Sequence, residues 1–238
     1  MLNLGTDKIT ALSLGGERVQ KAYLGEALVF GSGDAPGPSR LPEGYTEVEY
    51  IQSSGTQYID AGTRATYSMK ITMDVEPLSV AATSAGFYGS QYAPASGAKY
   101  FLNAVWSSNG FRVSAMATTA TPTYTIVSSN ATPRRMTIVF DGTNKQAWVE
   151  GEVAKTFPYF STSSNMSNLV MLAYGAISNP YAPIDAKLYS CQIENDGAPI
   201  RDFVPCVDPA GAVGLYDLVE GKFYGNVGTG AFIAGPAV

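Results

Sequence analysis

"SMKITMDVEP", residues 68–77, places Met69, Ile71, Met73 and Val75 on one side of an extended chain. Lys70, Thr72, Asp74 and Glu76 fall on the other side. Successive side chains of a strand point to opposite faces, so this period of two predicts a strand with one dry face and one wet face. The same reading extends outward. "RRMTIVFDGTNKQAWVEG" (134–151) is two alternating runs around Asp141-Gly142, a hairpin with Met136, Ile138 and Phe140 on one face and Ala147 and Val149 facing them. Residues 46–52, 56–62, 86–90, 99–106, 110–116, 168–175, 182–195 and 199–207 read as further strands, with a turn at Asp196-Gly197.

No segment carries twelve residues of helical period free of Gly and Pro, and 45–238 holds no blade-length repeat. A dozen strands without helices predict an all-β, two-sheet antiparallel sandwich. Composition agrees. Of 238 residues, 45% are hydrophobic, enough for a sizeable core, while 25 Gly and 14 Pro suit many tight turns.

The first thirty residues are different. "ALSLGGERVQ" (11–20) and "KAYLGEALVF" (21–30) repeat Leu-Gly at places four and five and Val at place nine. Turns at Gly15-Gly16 and Gly25-Glu26 predict a small three-stranded meander, with strands near 9–14, 18–24 and 27–30. So little apolar surface does not stand alone. Residues 31–44, GSGDAPGPSRLPEG, read as a linker stiffened by Pro36, Pro38 and Pro42. The expected layout is a meander at 1–30, a linker at 31–44 and a sandwich at 45–238.

Several function classes are disfavoured. The chain has no His, which removes Ser-His-Asp and Cys-His catalysis and the ordinary zinc sets. Its net charge is −5 and its densest basic cluster is Arg134-Arg135, so no nucleic-acid partner is expected. No apolar run is long enough for a membrane span, and MLNLGTDKIT lacks the apolar core of an export signal. An extracellular role would then need another release route, such as lysis. Two cysteines, Cys191 and Cys206, make no disulfide framework. Free buried thiols are expected, although their spacing permits one bridge.

"LPEGYTEVEYIQSSGTQYIDAG" (41–62), "AKLYSCQIENDGAPIRDFVPC" (186–206) and "GLYDLVEGKFYGNVGTGAFIAG" (214–235) resemble the ends of concanavalin-like, laminin-G-like jelly-roll domains. Such domains occur in phage tail proteins and in surface proteins of gut bacteria. "MTIVFDGTNKQAWVEG" is similar to a hairpin of the same group, with Glu150-Gly151 where the group has Asp-Gly. The resemblance covers 41–235, and its centre, 77–133, matches in pattern alone. It implies a two-sheet jelly roll. "VQKAYLGEALVF" resembles N-terminal elements of phage tail proteins, which implies that residues 1–30 dock onto a particle. The plainer alternative is a small sheet added to one end of the sandwich.

Glucanases of this broad fold carry Glu-x-Asp-x-Glu on one strand, and this chain has no such run. Glu47 with Glu49 and Glu150 with Glu152 read as solvated carboxylates, so no enzyme activity is expected. A lectin-like site needs aromatic rings beside amides and charged groups. The densest supply is Tyr88, Tyr92, Asn103, Trp106, Asn109 and Arg112, with Gln91 and Tyr100 nearby. Trp106, just before Ser107-Ser108-Asn109-Gly110, is expected near an exposed loop tip. Calcium is the metal that the fold resemblance admits, but Asp60, Asp74, Asp141 and Asp185 form no Asp-x-Asp-x-Asp loop, so no cofactor is expected. Asn130-Ala131-Thr132 and Asn165-Met166-Ser167 are sequons without a route to glycosylation.

The resulting expectation is a non-catalytic virion or cell-surface protein whose partners are a glycan or cell-surface polysaccharide and other tail subunits. The resemblance tilts the copy number toward a homotrimer. A structural spacer that binds no sugar fits the same residues.

Overall fold

A computed structural model describes residues 40–79, 84–92, 99–118, 125–157, 162–176 and 179–238, together with four short strands in the first thirty residues. The chain divides into two units, Met1–Arg40 and Leu41–Val238.

In the first unit Leu12–Leu14 pairs with Glu17–Val19, and Ala22–Leu24 pairs with Ala27–Phe30. These are two separate two-stranded ladders. The expected middle strand of a meander, 18–24, is divided between them. Each ladder pairs two strands from within one ten-residue copy, so local pairing prevails over a continuous strand. Residues 31–39 of the expected linker lie outside the described residues. The second unit already begins at Leu41, which is buried with Val204, Cys206 and Tyr216, so 41–44 belong to the sandwich.

The second unit is an all-β sandwich of two antiparallel sheets, with no helix among the described residues. The larger sheet runs Lys155–Thr156, Gln146–Val149, Met136–Asp141, Met69–Pro77, Asp185–Asn195, Ala198–Val207, Val213–Asp217 and Lys222–Tyr224. Thr46–Glu47, Ile51–Ser54 and Ile233–Ala234 pair alongside this path. The smaller sheet runs Thr125–Ser128, Gly110–Thr118, Lys99–Ser107, Ala85–Tyr92, Asn168–Met171 and Ile59–Arg64.

The expected alternation is realised in Met69–Pro77, where Met69, Ile71, Met73 and Val75 are all buried. The hairpin at 134–151 pairs Ile138 with Val149 and Phe140 with Ala147. In Asp185–Asn195 the buried positions are Ala186 and Leu188, then Cys191 and Ile193. The phase slips by one because the register shifts between Leu188 and Ser190, a bulge that turns Tyr189 outward. Both cysteines are free and buried.

The stretches that carry the family resemblance bind one another. Ile233–Ala234 pairs with Ile51–Gln52, and Val48 bridges to Ala237. Asn226 Oδ1 accepts the Tyr58 and Gly228 backbone N–H groups, and the Gln57 amide donates to the Ala231 carbonyl. Arg201 donates to the carbonyls of Ala61 and Gly62 and lies against the buried carboxylate of Asp217. Those motifs are the seam where the two ends of the domain close.

The two middle strands of the smaller sheet are covered on both faces. One face of the sheet meets the core, through Tyr88, Leu102, Ala104, Trp106, Phe111 and Val113. The segment Leu172–Gly175 crosses the other. A methyl carbon at Gly86 would sit 2.3 Å from the backbone of Ala173 and Tyr174, and one at Gly89 would sit 2.5 Å from the Gly175 nitrogen. Glycine is required there because backbone passes directly over backbone.

Candidate functional site

The aromatic cluster expected at residues 88–112 is not one site. Trp106 is fully buried, donates from Nε1 to the Ser79 carbonyl at 3.1 Å, and packs 6.1 Å from the Phe87 ring. The expected exposure fails for a physical reason. Ser107 pairs with Gly110 across a tight turn, and the backbone of Ser128 lies so close to Gly110 that a methyl carbon there would sit 2.1 Å from its oxygen. The strand end is therefore enclosed. Tyr88 is also fully buried, its hydroxyl has no hydrogen-bond partner among the described residues, and burial pushes its phenol pKa upward.

Asn103 is buried too. Its Oδ1 accepts the Gly175 N–H at 3.2 Å, which fastens the covering segment to the sheet. Arg112 is half-buried and donates to the Ser84 hydroxyl. Asn109 is exposed in the turn, and its N–H is held by the Ser107 hydroxyl. Tyr92 is half-buried and stacks on Tyr100, with ring centres 6.3 Å apart and planes 21° from parallel. Tyr92 pairs with Tyr100 at one end of the Lys99–Ser107 strand, while Asn109 lies beyond the other. Seven residues of strand separate the ends by about 23 Å. Tyr92 and Asn109 cannot touch one small ligand.

The acidic candidates are distributed as well. Glu49 lies 3.9 Å from Arg135, and Glu152 lies 3.0 Å from Arg134 and accepts from the Ser128 hydroxyl. Asp60 accepts from the Gly62 N–H and the Asn168 amide, Asp74 holds Arg135, and Asp141 holds Asn144 within its own turn. Among the described residues no group of three or more His, Cys, Asp or Glu is placed to hold a metal.

The end of the sandwich that carries Tyr92 also carries residues outside the expected cluster. Arg64 pairs in register with Asn168, and Ser167 is hydrogen-bonded to Gln91 and Ser90. Two strand spacings place Arg64 about 10 Å across the sheet from the end of Tyr92's strand. Here Arg64, Thr66, Tyr67, Ser163, Asn195 and Asp196 line an open groove of about 320 Å³. Asp196 and Gly197 both have positive φ, 51° and 79°, the backbone of a tight hairpin turn. Asn195 Oδ1 accepts the hydroxyls of Thr66 and Ser68, and its amide donates to Asp196. Arg64 donates to the Ser164 carbonyl at 2.8 Å. Tyr67, between the two anchored hydroxyl residues, is 66% exposed. The signal for it in the sequence is an aromatic in Thr66-Tyr67-Ser68, immediately before the most regular strand and so in a turn.

No family model matches the chain, and no curated protein matches it. Among solved structures the chain is similar to a mutant of the NanB sialidase from Streptococcus pneumoniae, with a TM-score of 0.42 and 12% identity. The likeness covers 65% of this chain and 27% of the sialidase, and at that level it carries no argument about activity.

Proposed function

We propose that the chain is a non-catalytic attachment module of a virion tail or a cell surface, whose sandwich binds a glycan or cell-surface polysaccharide. Residues 1–30 link it to further copies or to other subunits. The observation that carries the reading is the groove that Tyr67 shares with Arg64, Asn195 and Asp196, an exposed aromatic ring beside hydrogen-bonding groups on anchored loops. Carbohydrate recognition uses that combination, since rings cover the apolar face of a sugar and polar groups take its hydroxyls. The non-catalytic part is supported by Glu49, Glu152 and Asp60, which are engaged by Arg135, Arg134 and the Asn168 amide.

Affinity electrophoresis of the full chain through gels containing bacterial and plant polysaccharides tests the proposal. Retardation by at least one polysaccharide, with no change in its chain length, is expected. Unretarded migration in every gel would contradict binding, and shortening of the polymer would contradict the non-catalytic reading. The assembly role is tested by light scattering of the full chain beside a version beginning at Ser39. A larger mass for the full chain alone is expected, and equal monomeric masses would contradict self-association.

A further inference from the structure

Tyr67 stands exposed between two anchored neighbours. Its neighbours Thr66 and Ser68 are tied by their hydroxyls to Asn195, and the Met69 N–H closes the turn onto the Thr66 carbonyl at 3.3 Å. The loop is thus fixed at both sides, yet the ring between its anchors is 66% exposed and packs on no other ring among the described residues. A ring already held in place offers a stacking face at little further ordering cost. A second observation points the same way. The groove beside it, about 320 Å³, falls at the small end of the range of roughly 300–1,000 Å³ that small-molecule sites occupy.

The polar groups of the groove define the ligand. Arg64 gives one guanidinium nitrogen to the Ser164 carbonyl, and no described residue takes its other two. Asp196 accepts from the Asn195 amide through one oxygen, which leaves the other oxygen as an acceptor. Ser163 contributes a hydroxyl at the rim. One guanidinium and one carboxylate balance in charge, so the groove does not select an anion. A flat aromatic face with paired donors and acceptors matches a neutral hydroxylated ring.

We infer that the groove between the 64–68 loop and the Asn195-Asp196 turn is a saccharide subsite for one neutral pyranose unit, with Tyr67 as the stacking platform and Arg64 and Asp196 as hydroxyl partners. This rests on the carbohydrate-binding reading above, and deepens it by naming the site.

The test uses the full chain on a printed array of bacterial and mammalian glycans, with Tyr67→Ala, Tyr67→Phe and Asp196→Asn beside the unaltered protein. Asn tolerates the left-handed backbone at 196, so the last variant keeps the turn, and circular dichroism checks that all three fold. Tyr67→Ala is expected to lower binding to the recognised glycan about tenfold or more, the effect of losing one stacked ring. Tyr67→Phe retains most of the binding, and Asp196→Asn weakens it. Unchanged binding by folded Tyr67→Ala and Asp196→Asn would overturn the groove while leaving the carbohydrate reading intact. An unaltered chain that binds no glycan would overturn that reading as well.

Discussion

In the larger sheet, Met69–Pro77 buries alternate side chains and leaves Lys70, Thr72, Asp74 and Glu76 half-exposed. In the smaller sheet, Ala85–Ser90 and Phe101–Ser107 are buried at every position. The first has one wet face and these two middle strands have none, with Ala173–Gly175 passing over Gly86, Gly89 and Asn103 on their outer side. The consequence concerns recognition. A broad sheet face is not available for ligand on the smaller sheet, and on the larger sheet the outward groups partner each other. Arg135 lies 3.6 Å from the centre of the Tyr189 ring and forks onto Asp74, while the Tyr189 hydroxyl donates to Glu76 at 2.7 Å. The proposed saccharide groove lies instead at an end of the sandwich.

The difference between the sheets can be attacked by mutation. Trp106→Ala is expected to have the largest effect, a loss of about 3–5 kcal/mol in urea unfolding, because it opens a cavity in the shared core. A loss under roughly 0.5 kcal/mol, the range of ordinary surface substitutions, would place the ring in solvent instead. Gly86→Ala comes next. The added carbon must displace the covering backbone, an overpacking cost of about 1–3 kcal/mol, and a neutral result would mean that the cover is not closed. Asn103→Ala strands the Gly175 N–H, with an expected loss of about 1–3 kcal/mol. Faster amide exchange confined to 172–176 would mark the cover as the part released.

On the larger sheet the effects should be smaller. Arg135 is half in water, so Arg135→Ala is expected to cost at most about 1 kcal/mol despite its several contacts. The hydrogen bond from Tyr189 is the main cause holding the Glu76 carboxyl pKa below its ordinary value of 4.5. A depressed carboxyl contributes stability that is complete above 4.5 and lost as pH falls through the lower folded-state value. Tyr189→Phe should therefore be slightly less stable than the unaltered protein at neutral pH, with the gap closing in acid. A gap that widened as pH fell would reverse the sign of this account.

How much was legible follows the same division. Met69–Pro77 and the hairpin around Asp141-Gly142 could be read directly, because a strand with one wet face writes its burial as alternation. Tyr88, Asn103 and Trp106 could not, since a strand buried on both faces has no alternation to distinguish core from surface. Tyr88 and Trp106 face the core between the sheets, while the cover over Asn103 comes from residues 172–175, some seventy positions downstream. The motifs that carry the resemblance, such as Arg201 with Asp217 and Asn226 with Gly228, hold the domain's ends together. They are legible as fold and silent about ligand. Tyr67 was overlooked because it stands alone, outside the aromatic-rich stretch, and its exposure depends on anchors from Asn195, far along the chain.

The core between the two sheets is tested most directly by the solvent access of Trp106, which the smaller sheet turns inward. The chain's other tryptophan is Trp148, half-exposed in the larger sheet, so a Trp148→Phe variant leaves Trp106 as the sole reporter. Acrylamide quenching of its fluorescence is then measured in buffer and in concentrated urea. Emission that resists acrylamide in the native state and becomes fully quenchable only on unfolding is the expected result. Quenching in buffer as efficient as in urea would contradict the closed core between the sheets and return Trp106 to the surface.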